Sequence, residues 1–250
     1  MFRPRVIPVL LLRDGALVKT RAFRRPRYIG DPINAVRIFN DLRADELVFL
    51  DTRASREGRT ISLDFVRKVG EEADMPFSVG GGISTLEGIR AILGAGAERV
   101  VLNSSAALDP AFVRRAADAF GSSSVAVCLD VKKDLLGRAR TWTHGGSRST
   151  GLTPEEQART AEEQGAGEII VQSIPRDGTM TGYDLELTAR ISRGVTIPVV
   201  ALGGAGSVEH LRQGHRQGHA SGLAAGSMFV FQGPHRGVLI HYPDRAELDL

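Results

Sequence analysis

The sequence predicts an α/β fold: a single closed (β/α)8 barrel that spans residues 1–250 and consists of two similar half-barrels, residues 1–122 and 123–250. Three observations predict it. Short apolar segments alternate with helix-length amphipathic segments along the chain, which is typical of a parallel sheet. The apolar segments number eight, the count that closes a TIM barrel. Motifs of the first half also recur in the second at a spacing of about 120 residues.

The predicted strands are short apolar runs, and the predicted helices are longer and amphipathic. The strands are Val6–Leu12, Glu46–Asp51, Phe77–Gly80, Arg99–Leu102, Val125–Asp130, Glu168–Gln172, Pro198–Ala201 and Gly222–Ala225. The helices are Pro32–Leu42, Ile61–Ala73, Thr85–Gly94, Asp109–Phe120, Thr153–Gln164, Asp184–Ser192 and Ser207–Gln217. Asp31, Asp109 and Thr153 each precede a proline, which is the usual order of N-cap and first helical residue. An open doubly wound sheet is the main alternative, but the resemblance of Val79–Ile83 to Leu202–Gly206 favours the barrel.

Composition limits the class of protein. Hydrophobic residues make up 42% and charged residues 24%, and the net charge of +3 gives little support to nucleic-acid binding. The only cysteine, Cys128, excludes an internal disulfide, and the spacing of His210, His215 and His219 does not favour a metal site. We therefore expect no metal and no cofactor. No segment approaches about 18 apolar residues, and Met1–Leu12 lacks a signal-peptide cleavage site, so we expect a cytoplasmic protein without membrane contact.

Glycine-rich loops follow strands 3 and 7, and small polar residues follow strands 4 and 8. Such loops let backbone amides approach an anion, and barrels often bind phosphate after strands 7 and 8. Because the halves match, we expect two phosphate sites across one mouth and a substrate with a phosphate at each end. The alternative is that these glycines only form tight turns. The candidate substrate-binding residues are Gly81, Gly82, Asn103, Ser104, Asp177, Gly178, Gly203, Gly204, Ala225 and Gly226.

Three aspartates lie at carboxyl ends of strands, where barrel enzymes hold their catalytic groups. Asp51 ends strand 2, Asp130 ends strand 5, and Asp177 follows strand 6 and precedes Gly178. Burial that raises the pKa of such a carboxyl suits it to act as a general acid or base. For Asp177 a turn-stabilising role before Gly178 is an equal alternative.

Charged residues also begin four strands, at the opposite end of the barrel. Arg5, Glu46, Arg99 and Glu168 start strands 1, 2, 4 and 6. Since buried charges require partners, these four predict a neutral ring that forms a polar gate in the barrel floor. The alternative is that they are solvated residues at strand starts.

The first loop is basic, with Lys19, Arg21, Arg24, Arg25 and Arg27 among its residues. Cations over the mouth attract anions, and arginine binds phosphate in bidentate fashion, so Arg24 and Arg25 are candidate substrate ligands. A solvated flexible loop is the alternative. Thr141–Gly146 predicts a hairpin over the mouth, in which His144 is expected to be a surface residue.

These residues together resemble the cyclase (synthase) subunit of imidazole glycerol phosphate synthase over nearly the full chain. The resemblance rests on Val18–Lys19, Gly30–Pro32, Asp45–Asp51, Val79–Ile83, Gly165–Ile169, Arg176–Thr179 and Gly203–Gly206. It implies a partner glutaminase subunit, whose ammonia enters through the charged ring and travels along the barrel axis to the substrate. It also implies that aspartates ending strands 1 and 5 act as acid and base. Asp130 matches the second aspartate, but Leu11 stands at the first position.

A second branch of the family is more similar. The resemblance rests on Pro8–Leu12, Tyr28–Val36, Thr143–Gly146 and Gly226–Arg236. It implies conversion of an acetamido group on a nucleotide-linked sugar into an acetamidino group for surface polysaccharide, with a glutaminase and a third, ligase-like protein.

Three functions follow from these resemblances. Sugar amidination is favoured, with Asp130, Lys19 and Asp51 as candidate catalytic residues. Closure of the imidazole ring in histidine biosynthesis is the first alternative, which requires Asp14 or Asp51 to replace the missing acid. A non-catalytic partner that only channels ammonia or activates another protein is the second alternative.

Overall fold

The computed structural model describes residues 3–244 and 246–248 and confirms the predicted barrel. Eight parallel strands form the barrel, and pairing of the fifth with the sixth completes the closure. In chain order they are β1 (Arg5–Arg13), β4 (Leu47–Asp51), β5 (Phe77–Gly80), β6 (Arg99–Leu102), β7 (Val125–Lys133), β10 (Glu168–Ser173), β11 (Val199–Leu202) and β12 (Gly222–Ala225). Four of these strands precede residue 123 and four follow it. The two half-barrels as repeated units, and the extent of one domain over 1–250, remain predictions.

Helices cover the outside of the barrel. They are α1 (Pro32–Asp41), α2 (Leu63–Glu72), α3 (Leu86–Gly94), α4 (Ser104–Leu108), α5 (Pro110–Phe120), α6 (Pro154–Glu163), α7 (Leu185–Gly194) and α8 (Val208–Arg216). Every predicted helix is present, and α4 is an addition. Asp31 caps α1 by accepting from the Asn34 amide at 2.8 Å, and Thr153 caps α6 in a reciprocal capping box with Glu156. The prediction for Asp109 is wrong in detail, because its side chain makes no cap hydrogen bond to α5 and pairs with Arg115 instead.

Two hydrophobic layers hold the barrel together. The outer layer fills the space between strands and helices and contains fully buried aromatics such as Phe39 and Phe49. The inner layer fills the barrel interior and consists of small and branched residues, among them Ile7, Val48 and Val200. This division follows from strand geometry, because successive side chains point to opposite faces. In the part of the chain that is described, no helix is long and apolar enough to cross a membrane.

Short antiparallel strands lie beyond the barrel strands, where most of them extend the barrel sheet and the final pair forms a sheet of its own. They are β2 (Ala16–Arg21), β3 (Arg24–Gly30), β8 (Ala139–Thr143), β9 (Arg148–Ser149), β13 (Phe231–Gln232) and β14 (Gly237–Val238). Strand β2 pairs with β1, and β3 pairs with β2, so the basic first loop is a β-hairpin and not an irregular loop. Strand β8 pairs on β7, which places the predicted hairpin beside the mouth.

Candidate active site

A cavity of about 650 Å³ opens at the carboxyl ends of the barrel strands. It brings together most of the residues predicted from the sequence, although they come from distant parts of the chain. Those on its wall are Lys19, Asp51, Gly81, Gly82, Asn103, Ser104, Asp130, Asp177, Gly178, Gly203, Gly204 and Gly226. Three predicted residues lie away from the described wall: Arg24 and Arg25 are exposed on β3, and Ala225 is buried at the end of β12.

Asp130 is a buried carboxyl on β7 at the base of this cavity. The residue is 9% exposed, and its nearest polar contact is the Cys128 thiol, whose Sγ lies 3.7 Å from Oδ1. Burial, with a smaller contribution from the nearby Asp177 carboxyl, raises the pKa of Asp130 to about 7 against the opposing effect of contacts with Cys128 and Asn103. A carboxyl that titrates near neutrality can both release and accept a proton under physiological conditions.

Lys19 and Asp177 lie side by side under the first hairpin. The Lys19 ammonium is buried and donates a hydrogen bond to the Val9 carbonyl oxygen. Burial lowers its pKa to about 8, although Asp177 opposes the decrease. The Asp177 carboxylate accepts from the Thr20 hydroxyl at 2.7 Å and from the Phe23 amide at 3.3 Å. Asp177 therefore fixes the hairpin over the mouth, and burial raises the pKa of its carboxyl as well.

Asp51 also lies on the cavity wall, but its carboxylate is fully engaged. It accepts from the Arg59 guanidinium at 2.6 and 3.3 Å and from the backbone amides of Arg53 and Ala54 at 3.0 and 3.1 Å. This arrangement orders the loop after β4. The structure gives no support to Asp51 as a replacement acid, because the Arg59 guanidinium and two backbone amides already occupy both of its carboxylate oxygens.

Leu11 occupies the end of β1, where the family resemblance implies an aspartate. Its side chain lines the cavity beside Val9 and Leu50. Asp14, the other candidate replacement, is exposed beyond β1 and pairs with Arg53 at 3.0 Å. Among the described residues, Asp130 and Asp177 are thus wall carboxyls without an arginine partner, and Asp177 is engaged by the Thr20 hydroxyl and the Phe23 amide.

The glycine loops come close to neighbouring backbone. Gly82 has a φ of 64°, and a Cβ there would collide with the Arg59 carbonyl oxygen. Gly204 has a φ of 109° and equally little space beside the Gly182 carbonyl. A Cβ at Gly226 would lie 2.8 Å from the Lys19 ammonium nitrogen. These positions need glycine for packing reasons, so their role in binding phosphate stays a prediction.

The four charged residues of the barrel floor form a closed ring. Arg5 contacts Glu46 at 2.5 Å and also pairs with Glu168, while Arg99 contacts the same two glutamates at 3.1 and 3.3 Å. The Ser78 hydroxyl donates to Glu46 at 3.0 Å. Burial raises the pKa of Glu168, although the two arginines oppose this. The ring has no net charge when all four groups are ionised, as the sequence predicted.

A small cavity of about 10 Å³ connects the ring to the mouth. Glu46, Glu168 and Ser78 line its lower end. Val9, Leu50, Cys128 and Leu202 line both this cavity and the one at the mouth, so the two spaces adjoin. The inner space has room for about one molecule of the size of water.

The turn at residues 144–147 closes one side of the mouth through contacts with Arg56 and Lys132 that the sequence did not predict. Arg56, from the loop after β4, donates to the carbonyl oxygens of His144 and Gly145, each at 2.8 Å. The Lys132 ammonium donates to the Gly146 carbonyl at 2.7 Å. His144 lies on the cavity wall and is partly buried, in contrast to the expected surface position. Hydrogen bonds from arginine or lysine to backbone carbonyls leave no pattern in the sequence, so only the structure reveals these contacts with the turn.

Metal ligands do not converge in this structure. Within residues 3–244 and 246–248, no three His, Cys, Asp or Glu side chains are placed to hold one ion. The cavity wall combines the Asp130 carboxyl and the Lys19 amine with arginine side chains, neutral amides and glycine loops. This set suits proton transfer on a polar substrate that the glycine loops hold at its ends.

Comparison with known proteins agrees with this geometry. Residues 5–235 match the model of the family described as histidine biosynthesis protein. Two similar proteins are named "Putative imidazole glycerol phosphate synthase subunit", HisF in Leptospira interrogans and hisF2 in Pseudomonas aeruginosa. The first is 45% identical, covering 99% of this chain and 98% of its own length, and the second is 46% identical over the full length of both. The "Imidazole glycerol phosphate synthase subunit HisF" of Alkaliphilus metalliredigens is 45% identical over 92% of this chain and 91% of its own.

Proposed function

The chain belongs to the histidine biosynthesis protein family, and on that basis we propose that it is the ammonia-using synthase subunit of a glutamine amidotransferase of the imidazole glycerol phosphate synthase type. One observation carries the proposal: a neutral charged ring, a small apolar cavity and a mouth cavity with a buried carboxyl follow one another along the barrel axis. This sequence of spaces suits a small uncharged nucleophile that enters at one end and reacts at the other.

The walls favour ammonia over ammonium. The inner cavity is lined above the ring by Ile7, Val9 and Val48, which offer no compensation for a buried cation. The ring itself pairs each cation with two anions, so a neutral molecule can pass it only after a local rearrangement of these contacts. A glutaminase partner bound at the floor would supply ammonia directly to the ring.

At the mouth, Asp130 accepts and donates protons during the reaction. Addition of ammonia to an electrophilic carbon leaves a positively charged nitrogen, which must lose a proton. Because the pKa of Asp130 is about 7, its ionised form can accept that proton and its neutral form can then protonate a leaving group. Lys19, at the foot of the Gly226 loop, supplies positive charge for an anionic substrate.

The first candidate substrate is the bisphosphate ribonucleotide on which the imidazole ring closes. The names of the relatives support this reading over the sugar amidination that the sequence analysis favoured. The two glycine loops on opposite sides of the mouth suit a phosphate at each end.

The second candidate substrate is a nucleotide-linked acetamido sugar, and Leu11 is the observation that favours it. A leucine on the wall cannot transfer a proton, and neither Asp14 nor Asp51 is free to replace it. A reaction that needs one acid–base group at the reacting centre is compatible with this site. In this reading a third, ligase-like protein activates the acetamido oxygen as a leaving group.

Single-turnover assays with ammonium chloride at pH 8.5 test these proposals. The ribonucleotide substrate is given to the wild type, to Leu11→Asp and to Leu11→Asn. The asparagine variant is the control, because asparagine has the shape of aspartate but cannot transfer protons. Turnover by the wild type at an ordinary enzymatic rate, reduced at least about 10²-fold by Asp130→Asn, establishes ring closure.

The opposite pattern has an equally definite meaning. If the wild type is inactive and Leu11→Asp alone gains activity, the barrel is intact but serves another substrate, and the acetamido sugar with the ligase-like protein is tested next. If the chain binds either substrate tightly without turnover, and Asp130→Asn changes nothing, the chain is a non-catalytic partner and the proposal is wrong.

A further inference from the structure

Gln172 is a buried amide whose hydrogen-bonding groups are not used by the fold. It lies on β10, is 4% exposed and lines the mouth cavity. Within residues 3–244 and 246–248, no side chain or backbone group forms a hydrogen bond with its carboxamide. Buried polar side chains nearly always have a partner, and because the fold leaves this amide open toward the cavity, it is available to a ligand there.

The barrel pairing places this amide beside the candidate acid. Gln172 pairs with Asp130 on one side and with Leu202 on the other. Its amide nitrogen lies 3.0 Å from the position of a Cβ on Gly203, at the foot of the second-half glycine loop. The Gln172 amide therefore lies between Asp130, at the proposed reacting centre, and the Gly203 loop, which is proposed to bind one end of the substrate.

The facing wall is apolar. In the closed order of strands, β1 lies four strands from β7, and β4 lies four strands from β10. Leu11 on β1 thus faces the Asp130 side of the barrel, and Leu50 on β4 faces the Gln172 side. All four residues line the same cavity, so one half of the reacting centre is polar and the other half is hydrophobic.

We propose that Gln172 is a specificity-determining residue that binds an uncharged amide group of the substrate and holds it against Asp130. A carboxamide donates through its NH2 group and accepts through its oxygen, which complements the carbonyl and N–H of another amide. An anionic group is disfavoured because it would lie beside Asp130, and the leucines opposite suit a small apolar substituent. This inference rests on the proposed function for the position of the reacting centre, but it concerns binding and needs no turnover.

The test compares ligand pairs that differ by one amide. Calorimetry without ammonia measures binding of uridine diphosphate N-acetylglucosamine against uridine diphosphate glucose. A second pair is a ribonucleotide with an imidazole carboxamide against the same ribonucleotide without the carboxamide. We expect the wild type to bind the amide-bearing member of at least one pair about tenfold more tightly, which is the size of a good neutral hydrogen bond.

Three variants separate recognition from structure. Gln172→Met keeps the length of the side chain without hydrogen bonds and is expected to bind both members of the pair equally. Gln172→Glu keeps the shape, and its negative charge beside Asp130 is expected to weaken binding of both members. Gln157→Met is the matched control, because Gln157 is buried on α6 outside the cavity, and it should leave the preference unchanged.

The thermal midpoint gives a second readout. Gln172→Met should not lower Tm, because the native amide loses water on folding and gains no protein partner. A preference that survives in Gln172→Met, or no preference in either pair for the wild type, overturns the proposal. So does a lower Tm with an unchanged preference, which would assign Gln172 a structural role. Failure of turnover with intact amide preference would instead count against the proposed function alone.

Discussion

Replacing Asp130 with asparagine should stabilise the protein while it abolishes activity. The pKa of Asp130 rises from 3.8 to about 7 through burial, which corresponds to about 4 kcal/mol of unfavourable free energy for the ionised form. Asparagine has nearly the same shape and never ionises. We therefore expect Asp130→Asn to raise the free energy of unfolding at pH 8 by about 2–4 kcal/mol and Tm by about 5–10 °C.

The pH dependence identifies the cause. Since the pKa of Asp130 is higher in the folded than in the unfolded protein, the folded wild type binds more protons at this group. The contribution of Asp130 to the free energy of unfolding therefore falls as the pH rises from about 4 to 7 and is constant above that. The difference between Asp130→Asn and wild type should grow over that interval and level off above it. Urea unfolding at several pH values measures this difference.

Asp51→Asn provides the matched control. Its carboxylate accepts from Arg59, so this variant should be less stable than the wild type at pH 8. A difference for Asp130→Asn that does not change with pH, or that becomes smaller as the pH rises, would refute the argument. It would mean that Asp130 is ionised and compensated in the folded protein.

Three further predictions concern other buried or bridging charges. Arg5→Met leaves two buried glutamates with one arginine, and we expect urea unfolding to show a loss of about 2–3 kcal/mol, less than for a fully buried pair because Arg5 is partly exposed. Lys19→Met should raise the free energy of unfolding at pH 7 by up to about 3 kcal/mol, because burial lowers the pKa of Lys19 in the folded protein from 10.5 to about 8. This increase should become smaller as the pH rises above 8 and vanish above 10.5, and an increase that does not change with pH would contradict the reasoning. Arg56→Met should speed amide hydrogen exchange at residues 144–147 about tenfold, whereas Arg53→Met, which removes only exposed ion pairs, should not.

The barrel and its charged floor were predictable because both depend on periodic patterns. Apolar runs separated by amphipathic helices leave few arrangements for a parallel sheet, and starts of parallel strands share one end of it. Arg5 and Glu168 are far apart in sequence, but both begin parallel strands and are therefore predicted to lie at the same end of the barrel. The structure shows their ion pair.

The hairpin formed by β2 and β3 in the first loop was not predicted, and the reason is local. Turns with positive φ at both central residues favour Asn-Gly or Asp-Gly, but here Ala22 and Phe23 occupy them, with φ of 50° and 60°. No residue-type signal marks such a turn. The contacts of Asp177 with Thr20 and with the Phe23 amide accompany this conformation, and they are visible only once the chain is folded.

The same limit explains why the sequence could not rank its own candidate acids. Asp51 and Asp130 both end barrel strands, but the loop after β4 returns Arg59 to Asp51 at 2.6 Å, while Asp130 is described with no arginine partner. Only the second is left with its desolvation uncompensated, and such a carboxyl is the one able to move a proton near pH 7. With Leu11 on the facing wall, the proposed site has Asp130 as its acid–base candidate and the open amide of Gln172 beside it. Under the proposed function, ring closure would have to proceed with that one carboxyl, and the Leu11→Asp variant tests whether a second one on the facing wall is needed.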